Sequence, residues 1–208
     1  MATAHRAEIR QSRQQSRDRI VAAAEELVRR GSYGALTVDD VMREAGLGRT
    51  IFYRHFDDLA DLLMRAGREA IDELFDAQGA LRAARIGDGL DVVQAAIEPA
   101  VAVYRRHGPL LRAIAEAAAS EERIAVGQEA MRQRFNELVE HALGAIPRVA
   151  AQPPADIAET ARALNLMNES YLLDAFGREP RVSAETAIQT LTEVWFALIH
   201  RDNGDGQA

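Results

Sequence analysis

The stretch TVDDVMREAGLGRTIFYRHF, Thr37 to Phe56, decides the fold of this chain. Thr37 is a good N-cap residue, and Asp40 follows three residues later in a capping-box-like arrangement. We predict a helix over Val38–Ala45, a tight glycine-containing turn, and a second short helix from Arg49 to about His55. Two short helices joined by such a turn form a helix-turn-helix, although spacing alone also fits other small helical hairpins.

The residues of this stretch divide into a buried and an exposed set. Gly46 permits the positive φ that the turn needs. The apolar set, spaced to pack against a preceding helix, is Val38, Val41, Ala45, Leu47, Phe52 and Phe56. The set left facing solvent is Arg49, Thr50, Tyr53, Arg54 and His55. Arginine can fork onto guanine, and hydroxyl groups can reach phosphate, so the exposed set is of the kind that contacts DNA.

The charge distribution is uneven along the 208 residues. The net charge is −7, yet residues 1–56 hold 10 Arg against 7 acids, whereas residues 57–208 hold 15 Arg against 25 acids. A basic end on an acidic body would orient the head toward DNA. A chance excess in so short a segment is the alternative.

The rest of the chain also has the composition and periodicity of helices, so we predict an all-α protein of about nine helices. A linker is predicted at Arg85–Gly89, a helix stop at Gly108–Pro109, and a surface loop over Ile146–Asp156. The helices expected outside the central stretch are Arg13–Arg30, Asp57–Leu81, Leu90–Arg106, Pro109–Ala118, Glu121–Leu143, Ala155–Phe176 and Ser183–His200.

Signatures of other protein classes are missing from the sequence. There is no cysteine for disulfides or thiolate metal sites, and the five His residues show no ligand spacing. There is no lysine for a phosphate-binding loop of the Walker type, and no G-x-S-x-G. No apolar run is long enough for a membrane helix or a signal peptide. We therefore expect a cytoplasmic protein that is not an enzyme and uses no cofactor or metal.

The central stretch resembles the DNA-binding domain of TetR-family transcriptional regulators. The residues that match the family pattern in register are Thr37, Val41, Met42, Ala45, Gly46, Leu47, Phe52, Tyr53, His55 and Phe56. Gly48 departs from the pattern, because the family usually has Ser as the cap of the second helix. Glycine caps nearly as well, so the fold is unaffected, but one hydroxyl that could contact phosphate is missing.

The resemblance implies a DNA-binding head, residues 1–56, and a ligand-binding and dimerisation body, residues 57–208. It implies phosphate contacts by Thr37 and Tyr53, and base contacts by Arg49 and Thr50. The expected backbone or groove contacts are Arg43, Arg54 and His55. An Arg-rich arm precedes the first helix, and it either lies against DNA or is a solvated tail; its members are Arg6, Arg10, Arg13, Arg17 and Arg19.

Two asparagines, Asn165 and Asn168, stand one turn apart on a helix that is otherwise apolar on that side. A buried amide costs free energy unless it is hydrogen-bonded. Either these amides satisfy neighbouring protein groups, or they line a cavity and bind a polar group of a ligand.

One branch of the family resembles this chain in its last two helices. In that branch, paired Asn side chains and a C-terminal Trp line a long, mostly apolar ligand channel. The implied pocket residues are Val93, Ile97, Ala100, Tyr104, Phe135, Leu138, Asn165, Asn168 and Trp195. Ordinary core packing is the alternative for Tyr104 and Phe135, and a core or interface position is the alternative for Trp195.

The family resemblance also implies a homodimer through the last two helices. A broad apolar face supports it, formed by Ile188, Leu191, Trp195, Leu198 and Ile199. We therefore predict a repressor that a small lipophilic effector releases from a palindromic operator on double-stranded DNA. The alternatives are an activator, or a ligand sensor that acts mainly through a protein partner.

Overall fold

The computed structural model describes residues 2–83 and 90–200, with side chains at 10–76, 90 and 93–200. Apart from one 3-10 turn, Tyr33–Ala35, all regular elements in these ranges are α-helices, which confirms the all-α prediction. Nine are present in the described ranges: α1 (Ala2–Arg30), α2 (Val38–Ala45), α3 (Arg49–Phe52), α4 (Leu59–Ala83), α5 (Leu90–Ala117), α6 (Glu122–Ala145), α7 (Pro147–Ala151), α8 (Ile157–Phe176) and α9 (Ala184–Ile199). The predicted linker at 85–89 lies outside the described residues.

The chain forms two compact units, and the first contains the residues up to Glu69 together with Pro109–Gln128. Apolar faces of α1, α2 and α3 enclose one cluster, which includes Ile20, Ala24, Val41, Met42, Phe52, Phe56 and Leu62. A second cluster of this unit includes Val28, Leu63, Leu110, Ala113, Ile114 and Ile124. The first cluster therefore holds α2 and α3 against α1, and the second packs α1 and α4 against residues of α5 and α6.

A buried arginine donates hydrogen bonds to carbonyl groups at the end of α1 in the first unit. Nη2 of Arg112 donates to the carbonyl oxygens of Val28 at 2.8 Å and Gly31 at 2.7 Å. The guanidinium also pairs with Glu116, whose carboxylate accepts from the backbone N–H of Tyr33 at 3.1 Å. Carbonyl groups at a helix end lack partners within the helix, so Arg112 supplies donors where α1 needs them.

The second unit contains Ala70–Gly108 and the residues from Glu129 onward. Its core is apolar and is drawn from α5, α6, α7, α8 and α9. The buried members include Val93, Ile97, Val101, Val139, Leu143, Ile146, Val149, Leu164, Leu172, Phe176, Leu191, Trp195 and Ile199.

The predicted helix stop at Gly108–Pro109 is wrong, because α5 runs through it without a break. Gly108 is buried, and a Cβ placed on it would lie 2.2 Å from the carbonyl oxygen of Phe176 at the end of α8. The glycine therefore serves close packing inside the second unit. Pro109 removes one N–H from the helix interior, and the helix continues despite this loss.

Three other boundaries differ from the predictions. Helix α1 begins at Ala2, so the polar arm before Arg13 belongs to the helix. Helix α3 ends at Phe52 and continues as a turn, in which the N–H of His55 donates to the Phe52 carbonyl at 2.8 Å. The predicted surface loop contains α7, whose Val149 is buried.

Candidate functional site

A capped helix start fixes the first element of the helix-turn-helix. Oγ1 of Thr37 accepts from the Asp40 backbone N–H at 3.1 Å and donates to the Asp40 carboxylate at 2.5 Å. The hydrogen bond from Thr37, helped by the charge of Arg43, lowers the pKa of Asp40 below its usual value. Thr37 is therefore the N-cap of α2, as the sequence predicts.

The turn between α2 and α3 is set by a left-handed glycine and an arginine from α1. Gly46 has φ 62° and ψ 38°, and it is the C-cap of α2. The next N–H, of Leu47, donates to the Met42 carbonyl at 3.0 Å. Nη2 of Arg19 donates to the Ala45 carbonyl at 2.6 Å. This contact of Arg19 was not predicted, because it joins residues that are 26 positions apart in the chain.

Two aromatic side chains anchor α3 and leave its other face open. Phe52 and Phe56 are 0% and 1% exposed, and their ring centroids lie 5.6 Å apart. The predicted DNA-facing side chains at Thr37, Arg43, Arg49, Thr50, Tyr53 and Arg54 are all exposed, and His55 is half-buried. Tyr53 is 52% exposed, which is unusual for a large aromatic side chain.

Arg49 is held by two neighbours on this face. Its Nη1 lies 2.7 Å from Oδ1 of Asp39 on α2, and its Nη2 donates to Oη of Tyr53 at 3.0 Å. These contacts with Tyr53 and Asp39 raise the pKa of Arg49, an arginine that is a cation in any case. Asp39 was not predicted as part of the site, because it stands in the first turn of α2, where an acid is ordinary.

Positive charge surrounds His55 in the same unit. Partial burial, and then the charges of Arg13, Arg17 and Arg54, lower the pKa of the His55 imidazole. Nε of Arg17 is buried and has no hydrogen-bond partner among the described residues. Among the described residues, the charges that shift the pKa of His55 are therefore all positive.

The residues predicted to line a ligand pocket all belong to the second unit, and the structure brings only part of the set together. Val93, Ile97 and Trp195 are buried in one apolar cluster, and Tyr104 packs against it. Burial raises the pKa of Tyr104, and the charge of Glu169 adds to this effect. Ala100 is half-buried and Leu138 is buried, but neither belongs to this cluster.

Phe135, predicted to line the pocket or to pack in the core, contacts an aromatic side chain of α4. Its ring stacks on Phe75 with centroids 4.2 Å apart and planes 3° apart. The guanidinium carbon of Arg134 lies 4.1 Å from the centroid of Phe75. This half-buried stack joins α4 and α6 within the second unit.

Both predicted asparagine amides have protein partners. Oδ1 of Asn168 accepts from Nε1 of Trp195 at 3.2 Å, and Nδ2 of Asn165 donates to Oδ1 of Asn136 at 2.9 Å. Trp195 N–H and the two amides are thus hydrogen-bonded without a ligand. Asn136 was missed from the sequence, because its partner is 29 residues away.

The apolar face expected to meet a second copy is largely used inside the chain. Leu191, Trp195 and Ile199 are buried in the core of the second unit, and Ile188 and Leu198 pack against it. Most of this apolar face therefore belongs to the core of the second unit and does not by itself support a dimer interface. On α9 the large apolar side chain that stays exposed is Val194, at 41%. Dimerisation through the last two helices stays a prediction.

The described residues offer neither a metal site nor a helix that could span a membrane. They contain no group of three or more acidic or histidine side chains that could hold a metal ion. Over the same ranges, no helix combines the length and apolar character that crossing a bilayer requires.

Models of two known protein domains match the chain. The model described as "Transcriptional regulator EthR, C-terminal domain" matches residues 93–201. The model described as "Bacterial regulatory proteins, tetR family" matches residues 20–66. The first match alone covers more than half of the chain.

Whole-chain relatives agree with these matches. The chain is 26% identical over 190 residues to the HTH-type transcriptional regulator EthR of Mycolicibacterium smegmatis, covering 87% of this chain and 84% of the relative. It is 27% identical over 192 residues to EthR of Mycobacterium tuberculosis (strain CDC 1551 / Oshkosh), covering 88% and 87%.

Solved structures share the fold. The TetR family regulator PfmR from Thermus thermophilus has a TM-score of 0.69 at 20% identity, covering 89% of this chain and 99% of that one. A TetR-like transcriptional regulator from Rhodococcus sp. RHA1 has a TM-score of 0.67 at 16% identity, covering 90% and 96%.

Proposed function

The chain belongs to the TetR family of bacterial transcriptional regulators, with a C-terminal domain of the EthR type, and we propose that it is a ligand-released repressor. Membership makes it a DNA-binding transcriptional regulator from a non-enzymatic family. The finer proposal is a cytoplasmic homodimer that leaves a palindromic operator when a small lipophilic effector binds. We propose residues 1–56 as its DNA-binding head and residues 57–208 as its ligand-binding and dimerisation body.

The observation that carries the proposal is the exposed face of α3 and the turn after it. Arg49, Thr50, Tyr53 and Arg54 point away from a core that two buried phenylalanines fix. Cationic and hydroxyl side chains, here on a helix and the turn after it, are the groups that contact phosphates and base edges. The positive surroundings of His55 add attraction for the DNA backbone.

We propose base contacts for Arg49 and Thr50, and phosphate contacts for Thr37 and Tyr53. The hydroxyl of Thr37 donates a hydrogen bond to Asp40. A phosphate must therefore replace Asp40 as the acceptor of that hydrogen bond, or accept from the backbone N–H groups in the first turn of α2. The remaining contacts, to the backbone or groove, are proposed for Arg43, Arg54 and His55.

The effector site is proposed in the second unit, with Val93, Ile97, Ala100, Tyr104, Phe135, Leu138, Asn165, Asn168 and Trp195 as its lining. An apolar surrounding with a few amide groups suits a lipophilic molecule that carries a hydrogen-bonding carbonyl or amide. The polar group of such a molecule would replace one partner in the hydrogen bond between Asn168 and Trp195, or in the bond between Asn165 and Asn136.

Release from DNA follows if the effector binds the DNA-incompetent state more tightly than the competent one. To shift the protein from almost entirely DNA-competent to almost entirely DNA-incompetent, the effector must bind the incompetent state about 10⁴-fold more tightly than the competent state. In a two-fold dimer, the recognition elements would meet half-sites about 34 Å apart, or a multiple of that spacing. A palindromic operator follows from that symmetry.

The DNA-binding part is tested with Arg49→Ala and a matched control, Arg162→Ala. Both arginines are exposed and paired with one carboxylate, but Arg162 lies on α8 beside Glu159. We expect Arg49→Ala to weaken binding to a selected DNA site by about 10-fold or more, and Arg162→Ala to leave it unchanged. Equal effects of the two substitutions would contradict the proposed base contact.

The effector part is tested through Trp195, which is the only tryptophan in the sequence. We expect decanamide to change the fluorescence of Trp195 and to release bound DNA in anisotropy measurements. Decane, which lacks the amide, serves as the control and should do neither at equal concentration. Effector-induced tightening on DNA would instead favour an activator. A variant that lacks DNA binding but keeps regulation in cells would favour a sensor acting through a protein partner.

A further inference from the structure

An acidic side chain lies on the face that we propose meets DNA. The side chain of Asp39 is 61% exposed, and its carboxylate lies beside Arg49. A negative charge close to the phosphate backbone opposes binding by ordinary electrostatics. An acid is ordinary in the first turn of a helix, so the feature that needs a functional explanation is the bond of Asp39 to Arg49 on α3.

The contact of Asp39 differs from those of the other acids on α2. The backbone N–H of Asp40 donates to the N-cap residue Thr37, and the carboxylate of Asp40 pairs with Arg43 three residues away. Glu44 lies near Arg30 of α1 at 3.8 Å. Asp39 alone of these three bonds to α3, with an N–O distance of 2.7 Å. It thus couples the first helix of the motif to the proposed base-reading side chain.

The two partners of Arg49 leave its guanidinium oriented and still able to bind. One N–H of Nη1 goes to Asp39 and one of Nη2 goes to Tyr53. A guanidinium carries more N–H groups than these, arranged in a planar fork. An N–H on each terminal nitrogen is therefore left for the neutral acceptors N7 and O6 of a guanine.

We infer that Asp39 is a specificity-determining positioning residue, which makes Arg49 select a base edge over a phosphate. This inference rests on the proposed function. A phosphate gains little from an arginine that a carboxylate already neutralises, and it is repelled by that carboxylate. A guanine edge carries no net charge, so the repulsion is smaller there. Asp39 therefore weakens binding to all DNA, and it weakens non-specific binding more.

The test compares Asp39→Asn with the matched control Asp40→Asn in the full-length protein. Each substitution removes one negative charge, and the two residues are adjacent in α2. The probes are a duplex that the wild type enriches from a random-sequence library and a scrambled duplex of equal composition. Affinities are measured by fluorescence anisotropy over a range of salt concentrations, and folding is checked by circular dichroism.

We expect Asp39→Asn to bind the scrambled duplex about tenfold more tightly. The slope of log affinity against log salt concentration should become more negative by about one. The ratio of specific to non-specific affinity should fall about fivefold or more. For Asp40→Asn we expect both affinities to change alike. An unchanged or higher ratio in Asp39→Asn overturns the inference.

A second measurement asks whether Asp39 acts through Arg49. In the Arg49→Ala background, Asp39→Asn should no longer alter the ratio, because the side chain that it positions is missing. A ratio that falls equally in both backgrounds overturns the positioning role. Failure of the proposed function looks different, since the wild type would then enrich no sequence from the library.

Discussion

Replacing Gly108 with alanine tests how closely α5 and α8 approach in the second unit. The added Cβ would lie 2.2 Å from the carbonyl oxygen and 2.6 Å from the carbonyl carbon of Phe176. Both atoms belong to the backbone, so no rotation of a side chain can relieve the clash. Ordinary contact begins at 3.4 Å, so the end of α8 must move by about 1.2 Å.

The magnitude follows from two opposing effects. Overpacking of this kind costs about 1–3 kcal/mol, whereas alanine in place of glycine inside a helix returns about 0.5–1 kcal/mol. We therefore expect Gly108→Ala to lower the free energy of unfolding by about 1–2 kcal/mol. For a chain of this length, that corresponds to a fall in Tm of roughly 2–8 °C.

The assay is thermal unfolding by circular dichroism at a fixed protein concentration, because association would shift Tm. Gly127→Ala is the matched control, since Gly127 lies in α6 and a Cβ added there would have nothing within 4 Å. We expect this control to raise Tm slightly through helix propensity. A Gly108→Ala variant that melts at or above the wild-type temperature would refute the close approach.

Three further substitutions test other contacts. Arg19→Met removes the bond to the Ala45 carbonyl, so the free energy of unfolding from urea titration should fall by about 1 kcal/mol; no change would show that the turn does not depend on it. The depressed pKa of His55 means that the folded state disfavours its proton, so stability should fall as pH drops through about 6.5; in His55→Gln that part of the loss should vanish, and identical pH profiles would contradict the assignment. Asn168→Leu leaves the Trp195 N–H unpaired, so the urea midpoint should fall by the equivalent of about 1–3 kcal/mol; an unchanged midpoint would count against this bond.

Local signals were sufficient for the helix-turn-helix. Thr37 and Asp40 mark the start of α2, and Gly46 marks its end, because caps and left-handed turns depend on a few neighbouring residues. The spacing of Phe52 and Phe56 likewise predicts their burial. These features need no knowledge of the rest of the fold.

Features that depend on contacts between residues far apart in the sequence could not be predicted from it. Gly108 and Pro109 look like a helix break locally, but the position of Phe176 decides what the glycine does. The arm within α1 lacks an apolar stripe, so periodicity could not reveal its helix, although its residue types favour one. The pairing of Asp39 with Arg49 crosses from one helix to the next, and no spacing within either helix predicts it.

The central claim is that the face around Arg49 and Tyr53 reads a DNA sequence. The most direct measurement is a salt-titrated anisotropy experiment with the fragment that the protein enriches most from sheared genomic DNA of its source organism. We expect tight binding by two or four protomers, affinity that falls steeply with salt, and loss of selectivity in the Arg49→Ala, Tyr53→Phe double variant. If that fragment binds no more tightly than a scrambled duplex at any salt concentration, the claim is contradicted.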